Sequence, residues 1–369
     1  MAGSIGTDCT FADALTKAFK YNMQNTFDFM NFKDFIEVHR KEVYETICKY
    51  VPVKEPVENH AIMRDYIDRQ GSYRRPGLVM LSALMFGASA EDALLPAAAQ
   101  QLSEDWILMQ DDIEDDSELR RGKPAAQKLY GAINAFNASN LGHLSMWRIL
   151  KDYMLKAGVD KGNRMFEKFY DMLEYTVDGQ YLDNNFIHYT KDLNKASDAL
   201  YYRIVDSKTS YYTVYGPLQI GAIVAGESDE MLQVLKEIGQ PAGVAFQIVD
   251  DILDMTADEK LFGKKNFGDL YEGKITLIIL HTYAQATEEE KEKINGIYRK
   301  ERKDKTEQEI QFLIDTINKY DGIGYAKEMA NKYGNAAKAK IDEYMGKLPK
   351  NEYAQVLISA MEELYSRNK

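Results

Sequence analysis

Two aspartate-rich pentads of one form, Asp111-Asp112-Ile113-Glu114-Asp115 and Asp250-Asp251-Ile252-Leu253-Asp254, are the residues of this chain best suited to chemistry. At 3.6 residues per turn, the first and fifth aspartates of each pentad project within about 40° of one another, so each pentad sets paired carboxylates on one helix face. Carboxylates that close need a counter-charge. Hard oxygen donors with no thiolate or imidazole beside them suit Mg²⁺, which keeps several waters and draws its other oxygens from a bound phosphate. Such a pentad can also be plain solvated surface. Here each follows a largely apolar run, Trp106-Ile107-Leu108-Met109 and Val244-Ala245-Phe246-Gln247-Ile248-Val249, which fits acids sitting where a buried helix emerges into a cavity.

The elements that must position these acids read as helices. Ser89 or Asp92 caps one that runs to the first pentad and ends before Gly122-Lys123-Pro124. A second, at about 229–257, carries the other pentad near its C-terminal end, and a Gly- and Lys-rich loop follows at 263–269. Apolar residues at three- and four-residue steps predict further helices at about 31–50, 60–70, 77–87, 138–157, 163–185 and 197–224, with three more after 274. The charged run 288–305 reads as a solvated face and turn. Basic residues gather where an anion bridged by Mg²⁺ would need them: Arg120-Arg121, Lys208-Thr209, and Lys264, Lys265 and Lys274.

Composition narrows the class. Eight prolines in 369 residues, none between Pro241 and Pro349, suit long uninterrupted helices, and no Pro/Gly/Ser-rich linker divides the chain. The expectation is an all-α single domain over 31–369, preceded by an extension or extra helix at 1–30. A net charge of −12 argues against nucleic acid or an anionic membrane as partner. Two cysteines form no disulfide framework, and no signal or membrane-spanning segment is legible, so a soluble protein of the reducing cytoplasm is expected.

Taken in order, D-D-x-x-D, L-R-R-G-K-P, G-Q-x-x-D, K-T, F-Q-x-x-D-D-x-x-D, G-K and G-D-L-x-x-G-K-x-T resemble the trans-prenyltransferases, the farnesyl and geranylgeranyl diphosphate synthases, over roughly residues 60–280. The resemblance implies a bundle of antiparallel helices around a deep central pocket, of the isoprenoid synthase type and usually a homodimer. It also implies condensation of an allylic diphosphate with isopentenyl diphosphate. On the family's pattern Asp111 and Asp115 would ligate two Mg²⁺ and Asp250 a third, with Asp112, Asp251 and Asp254 in support. Arg120, Lys208 with Thr209, Gln247 and Lys264 would grip the allylic diphosphate, with Lys274 nearby; Gln180 and Asp183 would line the same cavity, and Arg121 would face isopentenyl diphosphate.

The residue types suit that reaction independently. Breaking an allylic C–O bond leaves a carbocation and a diphosphate, and at an effective dielectric near 20 each cation at 4 Å stabilises the developing charge by about 4 kcal/mol. The cation must be kept dry, for which Phe246, Tyr211 and Tyr212 are candidate walls. Bulky residues four and five places before the first aspartate form the family's floor under the growing chain; here they are Ile107 and Trp106, and a Trp there implies a short product, C15 to C20.

The acceptor half departs from the pattern. Where these synthases carry G-G-K-x-x-R, this chain reads Gln70-Gly71-Ser72-Tyr73-Arg74-Arg75, so Arg75 matches and Ser72 replaces the Lys. Seven residues before Asp111, in place of His or Gln, stands Glu104, which would repel a diphosphate unless paired or protonated. Either Arg74 or Arg69 compensates, with Glu104 paired to one of them, or the acceptor is changed or elongation weakened. Rival readings are a class I terpene cyclase or a head-to-head condensing enzyme, which share metal-assisted ionisation, and a non-catalytic subunit of a heteromeric synthase. The second D-D-x-x-D and the R-R-G favour elongation over a cyclase, and two complete pentads count against a decayed subunit.

Overall fold

Cap chemistry and close-packed glycines set where the site-bearing helices start and how near they approach. In the computed structural model, residues 30–256 and 267–365 are described. The expectations for residues 1–29 and for Lys264 and Lys265 lie outside them. The helices are α1 (Phe32–Tyr50), α2 (Val57–Asp68), α3 (Arg74–Met85), α4 (Ala90–Glu114), α5 (Ala132–Ala157), α6 (Val159–Asn185), α7 (Asp198–Ile204), α8 (Gly216–Ala225), α9 (Asp229–Thr256), α10 (Leu277–Gln285), α11 (Glu288–Tyr298), α12 (Glu307–Lys319), α13 (Gly322–Tyr344) and α14 (Glu352–Tyr365), with short helices at Ala126–Tyr130 and Gly268–Glu272. The fold is all-α. Among the described residues the only sheet is a hairpin of two-residue strands, Leu119–Arg120 and Lys123–Pro124.

Helix α4 begins as its sequence dictates. Ser89 accepts from the Asp92 backbone N–H at 3.1 Å, and Glu91 and Asp92 set negative charge in the first turn. After its last residue the chain turns through the hairpin, whose loop residues Arg121 and Gly122 both have positive φ, as a type I′ turn requires. That turn sends Arg120 and Arg121 to different partners.

The segment expected as one helix over 197–224 divides in three. Between α7 and α8 the chain runs as a π-helix, Val205–Tyr215. Two glycines let neighbouring helices press on it: a Cβ at Gly179 of α6 would fall 2.1 Å from Ser207 Oγ, and one at Gly243 of α9 would fall 2.5 Å from Ser210 Cα. Pro217, lacking an N–H, marks the return to α geometry. Beyond 274 the described residues form five α-helices rather than three. Capping boxes Thr287/Glu290 and Thr306/Glu309 restart the chain as α11 and α12 where the reading ran on. The run 288–305 is also not solvated throughout: Lys305 is buried, donates to Leu270 O at 2.9 Å and lies 5.3 Å from the Tyr298 ring.

Two apolar clusters form the interior. One gathers α1 to α5 with parts of α6, α8, α9, α13 and α14; the other gathers α7, the C-terminal half of α9 and α10 to α13. Trp106, Tyr212 and Phe246 of the first and Tyr201, Ile204 and Ile275 of the second line one cavity, so the hole sits where the clusters meet.

Candidate active site

Asp111 at the end of α4 and Asp250 and Asp251 near the end of α9 line one cavity of about 560 Å³, together with Gln180 and Asp183 of α6, Lys208 and Thr209 of the π-helix, Gln247 of α9, and Lys274. Residues far apart in sequence thus share a wall. Lys208 Nζ reaches Asp183 Oδ2 at 2.9 Å and Asp111 Oδ1 at 3.4 Å. Gln180 donates to Asp111 at 3.1 Å and to Glu114 at 2.6 Å. Thr209 donates to Gln247 at 2.7 Å, and Gln247 in turn donates to Asp251 at 2.8 Å.

Lys274 ties the two pentads together. Its ammonium lies 3.5 Å from Asp115, 3.7 Å from Asp269 and 2.6 Å from Glu272, and Asp269 donates its backbone N–H to Asp254 at 3.0 Å. Asp112 turns the other way and is fully buried. It takes Arg120 at 2.6 and 2.9 Å and the Tyr66 hydroxyl at 2.6 Å, while Arg120 also lies 3.3 Å from Asp111. Asp112 and Arg120 therefore hold the end of α4 rigid, with Arg120 at the cavity edge. Tyr201 does for the second pentad what Tyr66 does for the first, donating to Asp251 at 2.8 Å. Both tyrosines escaped sequence reasoning, because a buried tyrosine looks like core until its hydroxyl's partner is known.

The electrostatics sort these acids. Burial alone would raise Asp111, but Lys208, then Arg120 and Lys274, outweigh it and hold the carboxyl well below its ordinary value. Asp115 is pushed up to about 7 by burial, with Lys274 opposing. Asp251 is pushed up to about 7 by burial, against the hydrogen bonds from Gln247 and Tyr201. Lys208 is held charged: burial works against it, and Asp183 and Asp111 raise it. Among the described residues no three acidic, histidine or cysteine side chains converge closely enough to cage a metal ion. The donor set still fits Mg²⁺. It is all oxygen, it comes from two helices, α4 and α9, and an ion that takes one or two carboxylates and completes its shell from water and phosphate needs no prebuilt cage.

Below the acids the cavity is apolar. Phe246 and Tyr212 line it as expected; Tyr211 does not, and instead stacks on Tyr215 at 4.5 Å beside a second, outer cavity. Consecutive residues of a helix project in different directions, so with Tyr212 on the cavity wall Tyr211 faces away from it. Trp106 and Ile107 line the cavity one turn from Asp111, and the Trp106 ring is backed by His143 at 4.8 Å.

The acceptor side is built differently from the expected compensation. Arg69 is spent elsewhere: its side chain is inaccessible, ion-paired with Asp65 and donating to Arg120 O, with its guanidinium on the Tyr66 ring. Arg74 lines the cavity. Glu104 pairs with Arg75 and Arg121. It sits 3.1 Å from Arg75 and 3.4 Å from Arg121, and Arg121 also meets Asp105 at 2.8 Å. Arg75 and Arg121 were nearer because the α3 start and the hairpin both pack over the middle of α4.

The polyprenyl synthetase family model matches residues 57–317. A geranylgeranyl diphosphate synthase of Methanosarcina mazei is 30% identical over 317 residues, 85% of this chain and 92% of that protein. The crystal structure of a geranylgeranyl pyrophosphate synthetase from Pyrococcus horikoshii superposes with a TM-score of 0.78 at 28% identity, covering 91% of this chain and 98% of the other. A geranylgeranyl pyrophosphate synthase from Corynebacterium glutamicum, solved with isoprenyl diphosphate and magnesium, shares the fold with a TM-score of 0.79 at 22% identity, covering 91% and 100%.

Proposed function

We propose, from the premise that this chain belongs to the polyprenyl synthetase family and is a prenyltransferase, that it ionises an allylic diphosphate and couples it to isopentenyl diphosphate, releasing a short-chain trans-polyprenyl diphosphate of C15 to C20. The observation that carries this reading is the shared cavity: carboxylates of both pentads face Lys208 and Lys274 above an apolar floor. Asp111, Asp115 and Asp250 would hold magnesium, three ions in all. When bound, the metal supplies Lewis-acid stabilisation of the leaving diphosphate.

The chain's own residues do the rest. Lys208 and Lys274, both held charged in the cavity wall, meet the negative charge that develops as the C–O bond breaks. Gln247 and Thr209 fix each other and leave the Gln247 amide donating to Asp251, which keeps the second pentad in register. Phe246 and Tyr212 keep water from the cation. Trp106 and Ile107 close the floor and limit chain growth.

A homodimer in the cytoplasm is part of the same reading. Helices α5 and α6 leave Phe136, Leu144, Phe166, Tyr170 and Tyr181 between 43% and 67% exposed, a share of apolar surface that monomers rarely show on adjacent helices. Among the described residues no helix is long and apolar enough to cross a membrane. Purified chain incubated with Mg²⁺, an allylic diphosphate and labelled isopentenyl diphosphate should yield acid-labile extractable label, lost on chelation. Absence of label with every allylic primer, at saturating isopentenyl diphosphate, overturns the proposal.

A further inference from the structure

The acceptor end of the cavity carries an internal anion. Gly71, Ser72, Arg74, Arg75, Glu104 and Arg121 line it, and two of its three guanidiniums, those of Arg75 and Arg121, are engaged by one side chain. Glu104 is 6% exposed and reaches Arg75 with one carboxylate oxygen at 3.1 Å and Arg121 with the other at 3.4 Å. The arginines are fixed in that pose from behind. Arg75 donates to Thr213 at 2.8 Å and lies 4.7 Å over the Tyr212 ring. Arg121 donates to Tyr66 O at 3.0 Å and to Asp105 at 2.8 Å, and its guanidinium lies against Gly71, where a Cβ would come within 2.7 Å.

Charge complementarity decides what such a subsite prefers. A diphosphate headgroup brings up to three negative charges and needs guanidinium forks whose hydrogen-bonding faces are open. Here a buried carboxylate already lies ion-paired between the two guanidiniums, so an incoming phosphate must either displace it or lie against it, and like charges this close repel. Burial disfavours the Glu104 charge, but Arg75 and Arg121 more than offset this and keep it below its ordinary value, so protonation does not relieve the conflict at neutral pH. Ser72 adds no cation in return.

We propose that Glu104 is the specificity-determining residue of the acceptor subsite, an internal counter-anion on Arg75 and Arg121 that weakens binding of a diphosphate headgroup and narrows its advantage over a monophosphate. The inference rests on the condensation reading for the identity of the acceptor, but its test is a binding measurement that needs no turnover. Isothermal titration of isopentenyl diphosphate and of isopentenyl monophosphate into the full chain, without metal, is compared with Glu104→Gln. The variant should bind the diphosphate at least tenfold more tightly, bind the monophosphate with a smaller gain, and leave affinity for an allylic thiolodiphosphate within twofold.

Glu104→His, of similar volume, serves if Glu104→Gln does not fold. A diphosphate affinity unchanged or weakened in the folded variant overturns the proposal, as does an equal gain for both headgroups. If the variant binds the diphosphate tightly and still forms no condensation product, the condensation reading falls and the role of Glu104 stands.

Discussion

Replacing Lys208 by Met tests the claim that this side chain, rather than the metal alone, carries leaving-group charge. The ammonium lies 2.9 Å from Asp183 and 3.4 Å from Asp111, with a quarter of the side chain exposed to the cavity. At an effective dielectric near 20, a charge pair at the longer distance interacts by roughly 5 kcal/mol before desolvation is counted. A phosphate oxygen seated in the same cavity would gain a comparable attraction, and only the part that strengthens as the bond breaks lowers the barrier. Loss of one preorganised donor to a developing anion costs about 2.7–4 kcal/mol, a hundredfold to a thousandfold in rate. Lys208→Met should therefore lower kcat by that factor while the allylic KM moves less than tenfold, and Lys208→Arg should recover part of the loss. Label incorporation under saturating substrates measures kcat, and circular dichroism with a melting curve separates a folding defect. A folded Lys208→Met enzyme with kcat within threefold of wild type would refute the assignment.

Trp106→Ala should open the floor backed by His143 and lengthen the main product by at least one isoprene unit, read by chromatography of the dephosphorylated products; unchanged length removes Trp106 from the floor. Leu144→Glu with Tyr170→Glu should dissociate the proposed dimer, measured as a halved mass in sedimentation equilibrium; a monomeric wild type, or an unaltered mass, removes α5 and α6 as the interface. Lys305 makes a pH prediction. Its folded value is pushed down to about 8, chiefly by burial, from an ordinary 10.5, so between those limits the unfolded chain binds more protons and stability rises with pH. The gain is on the order of 3 kcal/mol between about pH 8 and 10.5, seen in urea melts. Lys305→Met should flatten that slope, and a fall in stability over the window in wild type would contradict the burial.

How much of this was legible in the chain depends on the distance over which partners meet. The pentads were readable because helical periodicity is local, and the apolar runs before them anticipated the cavity into which Asp111 and Asp250 face. Glu104 announced itself as an anomaly, but its partners could not be derived, since Arg75 comes from α3 and Arg121 from a hairpin turn whose aim depends on two positive φ angles. The five C-terminal helices were in principle readable, because T-x-x-E recurs at Thr287 and Thr306. The burial of Lys305 was not, because nothing local in a charged run tells which residue a neighbouring helix will cover. Asp112 was read as a helper of the metal ligands; its fixed pairing with Arg120 and Tyr66 depends on segments more than forty residues away in one case and across a turn in the other.

The π-helix from Val205 to Tyr215 has a consequence for how this protein can change. A π turn accommodates more residues than an α turn, so the segment stores a surplus of chain that its glycine-flanked neighbours hold in place. Deleting a single residue just after Thr209 would let the coil tighten, swinging the downstream aromatic side chains by about one residue's rotation, roughly 100°, relative to Lys208. Length alone, with no substitution, could thus move Tyr212 into the place Tyr211 now holds, taking its ring off the cavity wall and from beneath Arg75.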